Sequence, residues 1–293
     1  MILDAFAPAK VNLYLHVGPL GPDGFHPICS LMVFADVGDR LRAEQAAAFS
    51  LAIEGPFSSH APAGEDNLVI RAVRALHPDP PLHMTLTKRL PAAAGLGGGS
   101  SDAAAALKLA VQALRLDLDQ GRLQAIAAGL GSDVPACLDG RPVLAEGRGE
   151  RLSPSPELAP LPAVLARPPE GSATGPVYRA FDEATSVSAH PGEGRDPGFL
   201  PSSFASHQAL VQFLRTCRND LEAPAVSLEP AIGEVLGALR EAPEVLLARM
   251  SGSGSACFGL CADDGSAQAL AARLAREHPD WWVTACRLGG PWV

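Results

Sequence analysis

Apolar residues recur along the chain with two different periods, and these periods predict where strands and helices lie. The clearest alternation is in residues 10–17, where every second residue is apolar, and it predicts a half-buried strand. The apolar positions of this strand are Val11, Leu13, Leu15 and Val17. Lys10 and Asn12 therefore share its other, polar face, which suits either solvent or a ligand.

Comparable patterns continue along the rest of the chain. Further strands are predicted at residues 28–37, 41–43, 49–53, 82–88, 163–166, 245–250, 258–261 and 281–288. Helices are predicted at residues 103–116, 119–128, 174–181, 206–216, 231–241 and 266–277, with one capped by Asp66 and a short one after Asp133. Residues 141–156 are rich in Gly, Pro and charge, and they predict a boundary between domains of residues 1–150 and 151–293. Residues 185–203 are rich in Pro, Gly and Ser without periodicity, which predicts a mobile surface loop.

The stretch LPAAAGLGGGSSD, residues 90–102, combines glycines, hydroxyl groups and a predicted helix start. Four of the five residues 95–99 are glycine, which exposes backbone N–H groups and removes Cβ atoms that would keep an anion away. The predicted helix follows at once, so its free N–H groups and the positive end of its dipole point at the same place. The stretch therefore predicts a phosphate-binding loop.

Two common phosphate loops are excluded by their spacing. A Walker A loop needs a Lys before its hydroxyl residue, and Gly99 precedes Ser100 here. A dinucleotide-binding loop needs G-x-G-x-x-G after the first strand of a βαβ unit, and residues 95–99 break that spacing far into the chain. The glycines alone leave the phosphate ligand open.

Composition narrows the classes of function. The formal charge of −9 without a Lys/Arg cluster argues against a nucleic-acid partner. There is neither an apolar run of transmembrane length nor a leader peptide, so we expect a cytoplasmic protein without a membrane partner. The six cysteines are scattered and form no disulfide framework. Cys257 and Cys261 lack a second ligand pair, so we expect thiols there rather than a metal site.

Three separated motifs together resemble the GHMP kinase superfamily of ATP-dependent small-molecule kinases. They are the run Ala7-Pro8-Ala9-Lys10-Val11-Asn12-Leu13, the glycine stretch, and the run Met250-Ser251-Gly252-Ser253-Gly254-Ser255. Further motifs are similar to the members that phosphorylate a cytidine diphosphate ester of methylerythritol in the non-mevalonate route to isoprenoid precursors. These are Asp23-Gly24-Phe25-His26, Gly131-Ser132-Asp133-Val134-Pro135, Gly147-Arg148-Gly149-Glu150 and Asn219-Asp220-Leu221-Glu222.

This resemblance implies an α+β fold of two domains with the active site in the cleft between them. The N-terminal domain would resemble a ribosomal-protein domain, and the C-terminal domain would be ferredoxin-like. Asp133 would be the general base, with Lys10 beside it to stabilise the developing alkoxide. The implied ATP-binding residues are Pro91, Ala92, Ala93, Ala94, Gly95, Leu96, Gly97, Gly98, Gly99, Ser100, Ser101, Asn67, Lys88, Ser251, Gly252 and Ser253. Mg²⁺ would be held by phosphate oxygens and water, without an identified protein ligand.

The implied acceptor is a small molecule whose cytidine diphosphate end contacts Asn12 and His26, with Phe25 and Tyr178 as stacking faces. The chain departs from the family pattern at three places. Phe25 stands where a Tyr is common, Met32 where an aromatic residue is frequent, and Ala92-Ala93-Ala94 where smaller residues precede the glycine loop. We expect a monomer or a weak homodimer.

Two alternatives stay open at this point. The first is another GHMP kinase of the homoserine or mevalonate type, which would not need Phe25 and His26 or the motif of residues 219–222. The second is a catalytically inactive GHMP sensor protein, against which the presence of both Lys10 and Asp133 argues.

Overall fold

The computed structural model describes residues 2–62, 64–187 and 200–292. The strands are β1 (Ile2–Val17), β2 (Ile28–Gln45), β3 (Ser50–Glu54), β4 (Leu82–Thr87), β5 (Val143–Gly147), β6 (Arg151–Pro154), β7 (Leu161–Arg167), β8 (Val245–Met250), β9 (Cys257–Cys261) and β10 (Trp282–Gly289). The helices are α1 (Leu68–Leu76), α2 (Gly98–Ala113), α3 (Gln120–Leu130), α4 (Val134–Asp139), α5 (Thr174–Val187), α6 (His207–Arg215), α7 (Glu222–Leu228), α8 (Pro230–Glu241) and α9 (Asp264–Glu277).

These strands form a ten-stranded sheet in the described part of the chain. Its main path runs β3-β4-β2-β10-β7-β9-β8, while β1 and β5 also pair with β2, and β6 pairs with β5. The pair of β3 and β4 is parallel, and the other pairs are antiparallel. The last strand, β10, pairs with β2 on one side and with β7 on the other, so it joins the two halves of the chain.

The long hairpin of β1 and β2 corrects two predictions. Residues 28–45 form one strand, although Gly38 predicted a break between residues 37 and 41. Gly38 is required instead because β1 passes so closely that a Cβ there would lie 2.2 Å from the Ala7 carbonyl oxygen. The prediction that this strand is half-buried was also wrong, because the glycine stretch bonds to its edge, from Lys10 N to Leu96 O at 2.8 Å, and packs on the Lys10 side chain, whose Cβ would lie 3.0 Å from a Cβ on Gly97. Lys10 and Asn12 are therefore both buried.

Most other predicted elements recur in the structure, although β1 begins at Ile2 rather than at residue 10, and four further regions differ. The Gly- and Pro-rich segment at residues 141–156 contains the antiparallel pair of β5 and β6, which was not predicted from its composition. Helix α2 begins at Gly98 rather than at residue 103, and α7 was not predicted. Of residues 185–203, predicted to be a mobile loop, residues 185–187 end α5 and residues 188–199 lie outside the described ranges.

Candidate active site

A cleft of about 680 Å³ brings the three motifs together. Lys10 and Asn12 enter it from β1, residues 91–100 line it with the glycine stretch, and residues 252–254 close it from the loop after β8. Two predicted site residues on other elements, Asp133 and Tyr178, also line this cleft. The resemblance thus selected residues from both halves of the chain that the fold places in one cavity.

The glycine stretch has the geometry of an anion cradle. Gly95 and Gly97 have φ values of 70° and 62°, the left-handed conformation that favours glycine. A Cβ on Gly95 would lie 2.3 Å from the Ser251 carbonyl oxygen, so a side chain there would force the loops apart. The first amide of α2 to donate to a carbonyl within the helix is that of Ser101, whose acceptor is Gly97 O. The amides of residues 98–100 precede this bond, so they have no acceptor within the helix, and the residues that carry them line the cleft.

Lys10 and Asp133 form the charged pair at the centre of the cleft. Lys10 Nζ lies 3.0 Å from Asp133 Oδ2 and donates to Asn12 Oδ1 at 2.8 Å. Asp133 precedes α4, but its carboxylate makes no capping bond to the helix, so it is available to a substrate. Asn12 is itself fixed, because its Nδ2 donates to Ser30 Oγ at 2.7 Å. The arrangement holds a partly exposed carboxylate next to a buried ammonium group.

Lys88 lies beneath the glycine stretch in a buried cluster with two carboxylates. Its ammonium group donates to Asp39 and, at 2.7 Å, to Asp102 Oδ2. Burial acts to lower the pKa of Lys88, but the two carboxylates outweigh it and the pKa is raised. Burial raises the pKa of Asp102 to about 7, and its Oδ1 has no hydrogen-bond partner among the described residues. The ammonium group of Lys88 is therefore already paired with carboxylates, so it supports the glycine stretch rather than offering a free cation to phosphate.

Three other predicted nucleotide residues have structural contacts of their own. Asn67, rather than Asp66, is the N-cap of α1, and its Oδ1 accepts from Val69 N at 2.8 Å. Ser101 does not line the cleft, because its hydroxyl donates to Pro8 O at 2.6 Å. Ser251 is fully buried, accepting from Asn12 N at 3.1 Å and donating to Gly95 O at 3.0 Å. Ser251 thus joins all three motifs by its hydroxyl group.

The predicted acceptor residues lie at one end of the cleft. His26 Nδ1 is 2.9 Å from Gly18 O, so this nitrogen carries a proton, because a carbonyl only accepts. His26 Nε2 lies 3.4 Å from Asp182 Oδ1, and its ring centroid is 5.1 Å from that of Tyr178. Burial, with a contribution from Asp133, raises the pKa of Tyr178 to about 12, which keeps its phenol neutral. Phe25 and His26 are at the rim of the cleft rather than on its lining.

Arg148 is a site residue whose role the sequence did not indicate. Its Cζ lies 4.1 Å from the ring centroid of Phe25, and its Nη2 donates to Asp23 Oδ2 at 2.5 Å. It lines the cleft together with Ser132, close to Asp133. The motif of residues 147–150 marked the region, but only the pairing of β5 with β2 shows that Arg148 is turned toward residues 23–28.

Two kinds of feature are absent from the described residues. None of the helices in the described ranges is long and apolar enough to cross a membrane. The same ranges contain no group of three or more His, Cys, Asp or Glu side chains that could hold a metal ion.

Comparisons with known proteins show the class to which the chain belongs. The family signature described as GHMP kinases N terminal domain matches residues 67–141, and the one described as GHMP kinases C terminal matches residues 205–280. The fold and the cleft thus define a GHMP kinase, and GHMP kinases are ATP-dependent kinases that act on small molecules.

Relatives that match over their whole length show which family of GHMP kinases this chain resembles. A protein of Caulobacter sp. (strain K31), named 4-diphosphocytidyl-2-C-methyl-D-erythritol kinase, is 54% identical over 299 residues, covering 99% of this chain and 100% of the relative. A protein of the same name from Hyphomonas neptunium is 46% identical, with 98% and 97% covered. A crystal structure of 4-(cytidine 5'-diphospho)-2C-methyl-D-erythritol kinase has a TM-score of 0.75 and 36% identity, with 99% and 100% covered. The chain belongs to the 4-diphosphocytidyl-2-C-methyl-D-erythritol kinase family.

The expected GHMP fold with its mixture of helices and sheet is confirmed. The fold alone is shared more widely. A homoserine kinase from Cytophaga hutchinsonii has a TM-score of 0.67 at 19% identity. The division of the chain at residue 150 remains our prediction, and the two matched segments lie on either side of it.

Proposed function

We propose that this protein transfers the γ-phosphoryl group of ATP to the tertiary 2-hydroxyl group of 4-diphosphocytidyl-2-C-methyl-D-erythritol. The observation that carries the proposal is the pair of Lys10 and Asp133, 3.0 Å apart, in the same cleft as the glycine stretch. The cleft offers an anion cradle for the donor and, beside it, a carboxylate for the acceptor. Phosphoryl transfer needs such positioning and charge neutralisation more than it needs covalent chemistry.

Asp133 accepts the proton of the attacking hydroxyl group in this proposal. An alcohol is a weak nucleophile at neutral pH, so a carboxylate within hydrogen-bond reach of its proton is required. Asp133 is free for this task because its carboxylate does not cap α4. Lys10 pairs with Asp133 and stabilises negative charge on the attacking oxygen, and Asn12 Oδ1 fixes the direction of its ammonium group.

The donor phosphates bind at residues 95–100, where the free amides of α2 and the positive end of its dipole meet them. Residues 252–254 cover them from the other side. We propose that Mg²⁺ enters with the nucleotide, since the described residues offer no cluster of ligands for it. The ion would supply charge neutralisation at the phosphates, and the residues of this chain that would hold the nucleotide are those of the backbone cradle, residues 95–100.

The acceptor's cytidine diphosphate end lies at the rim formed by Phe25, His26 and Tyr178. Phe25 and Tyr178 supply aromatic faces for the cytosine ring, and His26 accepts a hydrogen bond at Nε2, because its Nδ1 is bonded to Gly18 O. Arg148 contacts Phe25 of this rim and lines the cleft together with Asp133, and we propose that its guanidinium group binds the diphosphate. Met32 also lines this end of the cleft with an apolar surface in place of a third aromatic ring.

The site is complete within one chain as far as the described residues show, so we propose a monomer or a weak homodimer. We propose the cytoplasm as its compartment, because all six cysteines are free thiols.

A comparison of acceptors tests the function. Purified protein with ATP and Mg²⁺ is given cytidine diphosphate methylerythritol, mevalonate or homoserine separately, and the release of ADP is measured. We expect turnover with the cytidine diphosphate ester alone. Turnover with mevalonate or homoserine alone would contradict the proposal, and ADP release with none of the three would favour an inactive sensor.

A further inference from the structure

The motif Asn219-Asp220-Leu221-Glu222 has no part in the chemistry described above. It joins α6 to the start of α7, and among its residues Leu221 lines the cleft while Asn219, Asp220 and Glu222 do not. Asn219 is nevertheless buried, with 7% of its surface exposed. A buried amide side chain requires partners for its polar atoms, and two of the partners of Asn219 are carbonyl groups at the loop after β8, which closes the cleft.

Asn219 holds the loop that follows β8. Its Nδ2 donates two hydrogen bonds of 2.8 Å, one to Met250 O and one to Gly252 O, the carbonyl groups on either side of Ser251. Its Oδ1 accepts from Leu221 N at 3.0 Å, so the amide is satisfied at every position and its orientation is fixed. Glu222 adds a contact to the same loop, because its Oε2 accepts from Met250 N at 2.9 Å.

The same short segment also holds the strand that carries Lys10 and Asn12. Leu15 N donates to Arg218 O, and Asp220 N donates to Leu15 O, both at 2.9 Å. Asp220 Oδ2 accepts from Val17 N at 2.8 Å. The segment of residues 218–222 therefore fixes the end of β1 and the loop after β8 relative to each other.

Ser251 extends this connection into the active site. Its hydroxyl group accepts from Asn12 N on β1 and donates to Gly95 O in the phosphate cradle. The two hydrogen bonds of Asn219 flank Ser251 on both sides, so the position of the hydroxyl group depends on them. These contacts therefore fix the positions of strand β1, the phosphate cradle and the segment of residues 218–222 relative to one another.

We propose that Asn219 is a positioning residue that acts through Ser251 to align the acceptor hydroxyl group with the donor phosphates. In-line transfer is sensitive to misplacement of about 1 Å, which can cost about 100-fold in rate. When the alignment fails, water in the cleft competes with the alcohol for the γ-phosphoryl group. The products are then ADP and inorganic phosphate instead of ADP and the phosphorylated acceptor. This inference rests on the proposed function for the identity of the acceptor.

The substitution Asn219→Asp tests the proposal with almost no change in side-chain volume. It keeps an acceptor for Leu221 N but replaces the two donated hydrogen bonds with a carboxylate oxygen facing two carbonyl groups. ADP and phosphorylated acceptor are measured in the same reaction. We expect one ADP per product in the wild type, and in the variant a kcat lower by about 10- to 100-fold with ADP in excess of product.

Two further variants complete the experiment. Ser251→Ala removes the bridging hydroxyl group without touching Asn219, and it should give the same excess of ADP. Gln212→Glu makes the same change from amide to acid at an exposed position of α6, and it should keep the ratio of ADP to product at one. A kcat lowered in Asn219→Asp with the ratio still at one would overturn the proposal, as would wild-type kinetics. If the wild type proves to use another acceptor, the proposed function fails, and the ratio is measured with that acceptor.

Discussion

The ammonium group of Lys10 lies 3.0 Å from Asp133 Oδ2, although one residue belongs to the first strand and the other precedes a short helix in the middle of the chain. The pair is only partly closed, because the Lys10 side chain is buried and that of Asp133 is 29% exposed. A carboxylate that is held by a buried cation and still reachable from the cleft is suited to take a proton from a bound alcohol.

Asp133→Asn tests the role of this carboxylate as a base. The amide is similar in size but accepts a proton poorly, so kcat should fall by about 10²- to 10⁴-fold while the KM for ATP changes little. Steady-state kinetics with both substrates varied give the two values. Asp139→Asn, an exposed position at the end of the same helix, is the matched control and should retain wild-type kcat. A kcat close to wild type in Asp133→Asn would reduce this residue to a structural role.

Arg148→Met tests the cation at the acceptor end. Methionine keeps an apolar contact with Phe25 but removes the charge, so the KM for the acceptor should rise about tenfold, the equivalent of 1.4 kcal/mol, with the KM for ATP unchanged. Arg151→Met removes an exposed arginine from β6 nearby and should change neither constant. Equal increases in both KM values would contradict the assignment of Arg148 to the acceptor.

The sequence predicted much of the fold because most elements carry clear local signals. The alternation of residues 82–88 and the helical pattern of residues 266–277 recur in the structure as β4 and α9, with bounds shifted by one or two residues. Gly38 misled the prediction because glycine suits both a turn and a close approach of two strands, and only the pairing with β1 distinguishes them.

The sequence predicted the site residues whose side chains face the cleft better than it predicted the contacts that these residues make with each other. Lys10 and Asp133 were expected to meet, and the structure brings them into contact. The buried bridge made by Ser251 depends on the backbone of Asn12 and Gly95, and backbone positions leave no signal in the side-chain pattern. Arg148 lies in the turn between β5 and β6, a strand pair in a segment whose composition predicted a domain boundary.

Ala93→Gly tests the backbone strain in the glycine stretch. Ala93 has a φ of 50°, a left-handed conformation that costs a residue with a side chain about 1–2 kcal/mol of folded-state stability. Glycine avoids this strain, but the greater conformational entropy of glycine in the unfolded chain costs about 0.5–1 kcal/mol. Because Ala93 is exposed and buries little surface, the variant should be more stable by about 0.5–1 kcal/mol in urea unfolding. Ala92→Gly, at the neighbouring position without a positive φ, should be less stable than the wild type. Loss of stability in Ala93→Gly would show that the loop does not hold this conformation in solution.

Asp102 gives the protein a pH dependence of stability opposite to that of a carboxylate in an exposed ion pair. Burial raises its pKa to about 7 from an ordinary value of 3.8, so between these values the folded chain binds more protons than the unfolded chain. Stability from this group is therefore full below about pH 4 and is lost as pH rises toward 7, because the stability slope follows the difference in bound protons. The groups that face Asp102 are Lys88 and Asp39, and both are buried beside it.

Asp102→Asn tests this dependence by fixing the neutral form of the side chain. Between pH 5.5 and pH 8, the Tm of the wild type should fall more than that of the variant, by at least about 2 °C, because one kcal/mol corresponds to about 2–4 °C in a chain of this size. Asp139→Asn serves again as the control, since its carboxylate is exposed, and its Tm should follow the wild type at every pH. Parallel Tm curves for the wild type and Asp102→Asn would mean that Asp102 stays ionised in the folded protein, held by Lys88 despite its burial.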